Sequence, residues 1–432
     1  MAGAIARAIV LCVLSLQVAV PSPVDDSKAL ASFIAQHGLK RNIVKPPEGI
    51  LLHEYIVPAG PYFQLFDWDM YFMSAALSYD KVSRPVEGSI KDFLAFVDEF
   101  ANWTGYTPRE IAPDAIWALP EMCKPFLAQA AVRASLTSGD VSWLRGADPP
   151  PSADPNYRKL QFFERPNAAA RVTFYQKLKD TLVFWENNRR AEDGLFVWYN
   201  GVESGADNNP AVSDMPSQTT EGVDLQSYLY REYLALAFLA RRLNEAQDAD
   251  LYEAKAASLA ALVRERLWSE ADGSFWNVNS RTHAHVKVKT WTNFVPLWAG
   301  LASPAQAARM IPALLDPAQF WSPNGVRTLS KDEPLYDAAK GYWRGPMWVL
   351  SNYLMMHALL NFDRRAEAIE LADKTQRLLV ADFKKTGGMN ENYNPETGAP
   401  DAGAHFVSWN LLAEHMKEEA VSGHDPTAIP RR

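Results

Sequence analysis

Two loops place isolated carboxylates among turn-forming residues. The stretch Gly201-Val202-Glu203-Ser204-Gly205-Ala206-Asp207-Asn208-Asn209-Pro210 carries two acids and no apolar period, and an aromatic run from Leu195 to Tyr199 precedes it. The stretch Gly387-Gly388-Met389-Asn390-Glu391-Asn392-Tyr393-Asn394-Pro395 repeats the arrangement with one acid. Loops of this make-up lie at the surface and often carry binding and catalytic groups. Two carboxylates on separate loops suit hydrolysis of a glycosidic bond. One is protonated to release the departing oxygen; the other is ionised to activate water or attack the sugar. The plain alternative for either loop is a solvated turn.

Four other patches are dense in residues that could do chemistry. Residues 58–72 (Pro-Ala-Gly-Pro-Tyr-Phe-Gln-Leu-Phe-Asp-Trp-Asp-Met-Tyr-Phe) mix aromatics with Asp67 and Asp69. Those two acids do not share a helix face, so at least one is expected to point away from the core. Asp69 is the candidate for gripping sugar hydroxyls. Gly105-Tyr106-Thr107-Pro108-Arg109 offers a guanidinium that could hold an anion in a bidentate pair, or serve structure alone. Cys123 to Gln129 reads as a helix start in which Gln129 is either a ligand or a satisfied core amide. In Gly341-Tyr342-Trp343-Arg344-Gly345-Pro346-Met347-Trp348, Gly-Pro opens a helix and Trp343-Arg344 are expected to project from its mouth.

The elements that must position these groups are helical. Apolar periods predict helices at 26–37, 67–79, 85–101, 124–136, 170–188, 223–243, 247–267, 291–300, 303–315, 343–361, 363–384 and 405–418. In 223–243, Leu225, Tyr228, Leu229, Leu236, Ala237, Ala240 and Leu243 recur at three- and four-residue steps and make one face. Short β-prone runs at 194–199 and 274–278 suggest only small hairpins. The sequence 137–169 contains Asp148-Pro149-Pro150-Pro151, which no helix could cross, and reads as a long surface loop or lid. Six helical hairpins closed into a ring would give a toroid with its loops at one end. An open α-solenoid or a two-domain helical protein would give a similar series.

Composition narrows the function classes. The chain has 432 residues, 48% hydrophobic, with a net charge of -8, which argues against a nucleic-acid partner. There are two cysteines, Cys12 and Cys123, so no disulfide framework is implied, and no Cys/His cluster has zinc-site spacing. No dinucleotide motif follows a strand, and no cofactor is expected. The 14 Trp, 16 Tyr and 20 Phe exceed what many cores need, and a minority could be platforms for sugar rings. Arg7 precedes an apolar run, Ala8 to Val20, whose length suits a signal peptide and is too short for a membrane span. Residues 1–22 are therefore read as a signal segment of a secreted protein, with a plain N-terminal helix of a cytoplasmic one as the alternative, and 23–432 as one domain. One glycosylation sequon occurs, Asn102-Trp103-Thr104.

The patches also carry a resemblance. Trp68-Asp69-x-Tyr71-Phe72 after Pro-Ala-Gly is similar to the first trehalase signature. Glu203-Ser204-Gly205-x-Asp207 resembles the loop of the general acid in trehalases and in glycoside hydrolase family 63. Tyr342-Trp343-Arg344-Gly345-Pro346-x-Trp348 and Glu391-x-Tyr393-x-Pro395-x-Thr397-Gly398 are nearer to family 63, above all to its mannosylglycerate and glucosylglycerate hydrolases. The likeness runs from about residue 50 to 415, nearly the whole of the expected mature chain.

The resemblance implies an all-α fold, an (α/α)6 barrel with short β-hairpins and with long loops at the active-site end, and inversion at the anomeric carbon. It implies Asp207 as general acid and Glu391 as general base. Tyr62, Phe66, Trp68, Asp69, Trp343, Arg344 and Tyr393 would then belong to the substrate site. Glu203 would be a hydroxyl-binding or supporting residue, against a structural ion pair. The expected substrate is a small α-glucoside or α-mannoside, glucosylglycerate or mannosylglycerate first. Arg109, Tyr106 and Gln129 are the candidates for its carboxylate. Trehalose is the neutral competitor, and a helical toroid that binds sugar without cleaving it is the reading from another class. No metal, nucleic acid or membrane partner is expected.

Overall fold

The computed structural model describes residues 23–97, 103–116, 120–148 and 172–430. The leading segment 1–22, Asn102 of the sequon and most of the predicted lid, from 149 on, lie outside the described residues. Of that lid, its first residues continue the helix Leu127–Ser138, and a 3-10 turn follows at Ser142–Arg145.

Two kinds of helix alternate along the chain, and their composition says which layer each enters. Asp67–Ser78 is buried from Asp67 to Leu77, and Val349–Leu360 from Val349 to Leu359. A helix buried on every side belongs inside. Ala246–Arg266 instead buries only Ala249, Tyr252, Ala256, Leu259, Ala260 and Val263, a single stripe at helical spacing, and turns the rest to solvent.

The inner elements are Asp67–Ser78, Leu127–Ser138, Val223–Arg242, Trp291–Phe294 continuing as Val295–Ala299, Val349–Leu360, and the 3-10 helix Ser408–Glu414. Each packs against the next, and Ser408–Glu414 returns to pack on Asp67–Ser78, so the ring is closed. This contact separates a toroid from an open solenoid. Outside lie Pro23–Gln36, Arg84–Leu94, Phe174–Asn188, Ala246–Arg266, Pro304–Leu314 and Arg365–Thr386. The chain is an all-α (α/α)6 barrel.

Several predicted helices are shorter than their apolar periods; the one predicted at 85–101 ends at Leu94. The one predicted at 343–361 begins at Val349, because Tyr342 takes the left-handed region (φ 57°) and Gly345-Pro346 breaks the period ahead of it. The one predicted at 405–418 divides into the 3-10 helix and Met416–Ser422. The β structure is a set of short antiparallel pairs and one three-stranded sheet of Thr220–Glu221, Asn277–Asn279 and His285–Val286. Leu65–Phe66 pairs with Glu110–Ile111, Asn392–Tyr393 with Pro400–Ala402, and Trp268–Ser269 with Ser274–Phe275. Among the described residues no helix is long and apolar enough to cross a membrane.

The two ends of the ring differ. The N-terminal starts of inner elements bring Trp68, Asp69, Trp348 and Trp409 to one end. At the other end His357 Nε2 meets Glu419 Oε2 at 2.9 Å, and Asp425 Oδ1 stands 3.9 Å from His357 Nδ1. Tyr79 donates to Glu419 there, and Arg231 donates to the Thr427 carbonyl while lying over the Trp298 ring.

Candidate active site

The site is assembled from four pieces of chain. In the first, the strand Leu65–Phe66 runs directly into the inner helix at Asp67. Both acids of this turn are buried, contrary to the expectation that one would point outward. Each has its own reason. Asp67 accepts Lys124 Nζ at 3.1 Å, the Lys124 backbone N–H at 2.7 Å and the Trp68 N–H at 2.6 Å, which ties the helix start down. Asp69 accepts the Ser408 hydroxyl at 2.5 Å and lines a cavity. Lys124 Nζ also sits 4.9 Å from the Trp68 ring, so one buried cation braces both side chains.

The second piece is the loop around Asp207. Its root is Glu203, fully buried, which accepts Arg189 Nη2 at 3.0 Å and the backbone N–H groups of Met122 and Tyr199. Asn200 caps the short helix Gly201–Ser204 by accepting from the Glu203 N–H. Gly205 then turns the chain at φ 80°, and a Cβ there would stand 2.6 Å from both Lys124 Cε and Trp68 Cζ2. Only glycine meets both demands. Asp207 follows, on the cavity wall.

The third piece, Tyr342 to Trp348, holds that loop from the other side. Asn208 donates to the Gly341 carbonyl and accepts from the Trp343 N–H. Arg344 Nε donates to the Asn208 carbonyl at 2.7 Å and its Nη2 to Asp214 at 2.6 Å. Trp343 stacks on Trp348 at 3.8 Å between centroids and 8° between planes, and both line the cavity.

The fourth piece carries Glu391. Tyr393 donates its hydroxyl to Asp382 and accepts the Asn390 N–H, fixing the loop from below. The Glu391 N–H donates to the Ala402 carbonyl. Tyr62 directs its hydroxyl at Glu391, 3.1 Å from each carboxylate oxygen, and its ring meets Phe66 and Phe406 edge-on.

These pieces enclose a cavity with about 690 Å³ of atom-free space including its open mouth. That is the size range of small-molecule sites. Asp69, Glu110, Asp207 and Glu391 line it, with Arg109 as the cation and Tyr62, Phe66, Trp68, Tyr342, Trp343, Trp348, Phe406 and Trp409 as aromatic walls. Burial pushes the Glu391 carboxyl up to about 7; the Tyr62 hydrogen bond opposes this and the charge of Asp207 adds to it. Burial also pushes Asp69 up to about 7, against the Ser408 hydrogen bond and with the help of Asp67 and Glu391. Asp207 is raised by burial too, although Arg109 and Lys124 pull it back. Carboxyls raised in this way hold protons at higher pH than free ones and suit acid–base work.

Several expected ligands do something else. Tyr106 is fully buried and its hydroxyl donates to the Glu121 carbonyl, away from the cavity. Gln129 donates to the carbonyls of Pro125 and Tyr228 and accepts from Arg231, so it is a satisfied amide between inner helices. Tyr393 and Arg344 hold the two acid loops and do not line the cavity. Glu203 is an ion-paired brace without access to a sugar hydroxyl. Arg109 does face the cavity. Its Nε is buried without a hydrogen-bond partner among the described residues, and Nη2 lies 3.7 Å from Glu110.

Gln64, Glu110, Phe406 and Trp409 also line the cavity, and none of them is a candidate on the sequence alone. Tyr342 and Trp348 appeared only as members of a motif, and Glu110 could have been sought beside Arg109. Phe406 and Trp409 carry no local signal. Among the described residues no group of three or more His, Cys, Asp or Glu side chains could hold a metal ion.

Comparison with known proteins fits this geometry. The chain is 30% identical to a mannosylglycerate hydrolase of Rubrobacter radiotolerans over 191 residues, 44% of this chain and 41% of that protein. It is 26% identical to a probable mannosyl-oligosaccharide glucosidase of Schizosaccharomyces pombe, over 50% of this chain and 29% of that one. The chain thus spans less than half the length of these curated relatives. A trehalase of Oryctolagus cuniculus is 22% identical over 85% of this chain and 67% of its own. Among solved structures, the GH63 mannosylglycerate hydrolase from Thermus thermophilus in complex with Tris and D-glycerate superposes with a TM-score of 0.63 at 18% identity, covering 90% of this chain and 99% of that one. The neutral trehalase Nth1 from Saccharomyces cerevisiae gives 0.59 at 15% identity, covering 87% and 77%. The profile of the mannosylglycerate hydrolase MGH1-like glycoside hydrolase domain matches residues 124–409, and the chain belongs to that family.

Proposed function

We propose that this protein is an inverting α-glycosidase that hydrolyses a small α-glucoside or α-mannoside, with glucosylglycerate or mannosylglycerate as its substrate. One observation carries the reading: Asp207 and Glu391 face one aromatic-walled cavity, and burial holds both carboxyls above their usual range. Asp207 gives its proton to the glycosidic oxygen as the bond to the anomeric carbon breaks. Glu391 takes a proton from the water that attacks the opposite face. Trp68 and the other aromatic walls enclose the sugar ring, and Asp69 accepts from its hydroxyls.

Arg109 supports the glycerate aglycone, because a cavity-facing guanidinium with an unpaired Nε suits a carboxylate. The solved mannosylglycerate hydrolase in complex with D-glycerate adds to that support. One feature favours trehalose instead: Glu110 beside Arg109 offsets its charge.

Sugar release from glucosylglycerate, mannosylglycerate and trehalose, with wild type and Asp207→Ala, tests the reading. Cleavage of a glycerate glycoside that the variant loses supports it. Cleavage of trehalose alone keeps the acid and removes the anion role of Arg109. Release of the β-anomer, followed by NMR, checks inversion. The pair should also shape the pH profile. At kcat/KM the active form carries one proton between Asp207 and Glu391. Activity should fall above about pH 7, where the pair loses that proton, and again at low pH, where both carboxyls are protonated and no base remains. Secretion is the accompanying reading for 1–22, tested by N-terminal sequencing of exported protein.

A further inference from the structure

Glu391 lines two cavities. The inner one also holds Asp207, Trp68, Asp69 and Arg109. The outer one adjoins the same carboxylate and is otherwise lined by Gly60, Pro61, Ala402, Gly403, Ala404 and His405, with Tyr62 and Tyr342. Tyr62 and Tyr342 belong to both linings, so these two phenols and the carboxylate form the partition between them. The Tyr62 hydroxyl lies 3.1 Å from each Glu391 oxygen.

The outer wall is built to stay open. Along the two strips that line it, Gly60-Pro61 and Ala402-Gly403-Ala404, no side chain is larger than that of proline. Gly403 is held at φ 61°, and a Cβ there would stand 2.5 Å from Glu391 Cβ. A larger residue at 403 would therefore push the carboxylate out of its place in the partition. Ala404 and His405, at the rim, are exposed.

We infer that the outer cavity is the entrance for the attacking water, separate from the mouth through which the glycoside enters; this rests on the proposed inverting hydrolysis. In that reaction the sugar fills the inner cavity between the two carboxyls, and the water must reach the side of the anomeric carbon opposite the departing oxygen. A bound sugar blocks the route through the inner cavity. The outer cavity, which reaches the same carboxylate, is the other route to Glu391. Water arriving there gives a proton to Glu391, and its oxygen bonds to the anomeric carbon. The bond from that carbon to the glycosidic oxygen breaks, and the oxygen leaves with the proton of Asp207. Tyr62, donating to both oxygens of Glu391, is a positioning residue that keeps the carboxylate turned between the two cavities.

Ala404→Trp tests this, because position 404 is exposed and a bulky side chain there plugs the rim without entering the core. Ala404→Ser is the control, and circular dichroism with thermal melting shows that both fold. With whichever glycoside wild type cleaves, Ala404→Trp should lower kcat by about tenfold or more, a barrier change of roughly 1.4 kcal/mol, with KM unchanged. Ala404→Ser should match wild type. If a folded Ala404→Trp keeps its kcat, or raises KM with kcat intact, the outer cavity does not supply the water and the inference is overturned. If wild type cleaves none of the three glycosides, the proposed function itself fails, and that result is separable from a failure of the rim variant.

Discussion

Both ends of the helical ring bury acids, and they treat them in opposite ways. At the far end Asp425 is partly buried, yet the charges of His357 and Arg231 and the hydrogen bonds from Thr427 outweigh that burial and hold its carboxyl below the usual range. His357 answers in kind: burial lowers it, but Asp425 and Glu419 raise it above its ordinary value. At the site end Asp69, Asp207 and Glu391 are raised. Apart from Arg109, whose Nε faces the cavity unpaired, the cations there are committed to other acids. Lys124 is bonded to Asp67, and Arg189 to Glu203, one turn of chain before Asp207. A cation bonded to a buried acid ties the structure down, even where, as at Glu203, burial still keeps the carboxyl above its usual range; a buried acid without one is left available for proton exchange. The loop 201–210 holds both kinds four residues apart.

The sharpest way to break this comparison is to remove the acid that has a cation. Glu203→Gln leaves Arg189 buried and unpaired and should cost about 3–5 kcal/mol, read as a fall in Tm. Molecules that remain folded should keep their activity. Asp207→Asn, on the same loop, should leave Tm unlowered while kcat falls roughly 100- to 10,000-fold. Equal losses of stability in the two variants would sink the distinction. Next in size is Arg109→Gln. Losing a hydrogen-bonded charge pair costs about 1.5–3 kcal/mol, so KM for a glycerate glycoside should rise roughly 10- to 100-fold, and KM for trehalose should stay put.

The smallest effects are in the pH dependence of stability. Glu391 has a folded-state value near 7 against an ordinary 4.5, so folding opposes its ionisation. Wild type therefore loses stability between about pH 4.5 and 7. Glu391→Gln should raise Tm at pH 8 and change it less at pH 4, compared by melting at both. His357 is raised above 6.5 in the folded state. Its contribution is fully present below about pH 6.5 and is lost as pH rises through the folded value. The Tm gap between wild type and His357→Gln should narrow between pH 6 and 9; a constant gap would show that His357 does not titrate with folding.

Much of this was legible in the chain itself. The helices themselves are written in apolar periods such as those of 223–243 and 247–267, although which of them enter the inner layer is not. The loop acids stood out because Glu203, Asp207 and Glu391 sit among turn residues where a core would not place them. What the sequence withheld was of two kinds. Tyr106, Gln129, Arg344 and Tyr393 neighbour the site motifs but spend their polar atoms on backbone or on loop acids, and side-chain direction at that scale follows from packing. Phe406 and Trp409 reach the cavity only because the ring closes, and closure is a contact between residues more than 330 positions apart, such as Ser408 and Asp69. Local spacing carries no trace of it.

That closing contact also sets a timetable for synthesis. Tyr62 is separated from Glu391 by 329 positions and Asp69 from Ser408 by 339. During translation the first wall of the cavity waits, with its aromatics uncovered, for partners that the ribosome has not yet made. Pairings this distant in sequence form slowly and leave sticky surface exposed meanwhile. The site therefore needs both ends of the chain, and no stretch of it that lacks residues 391–410 holds the full cavity wall.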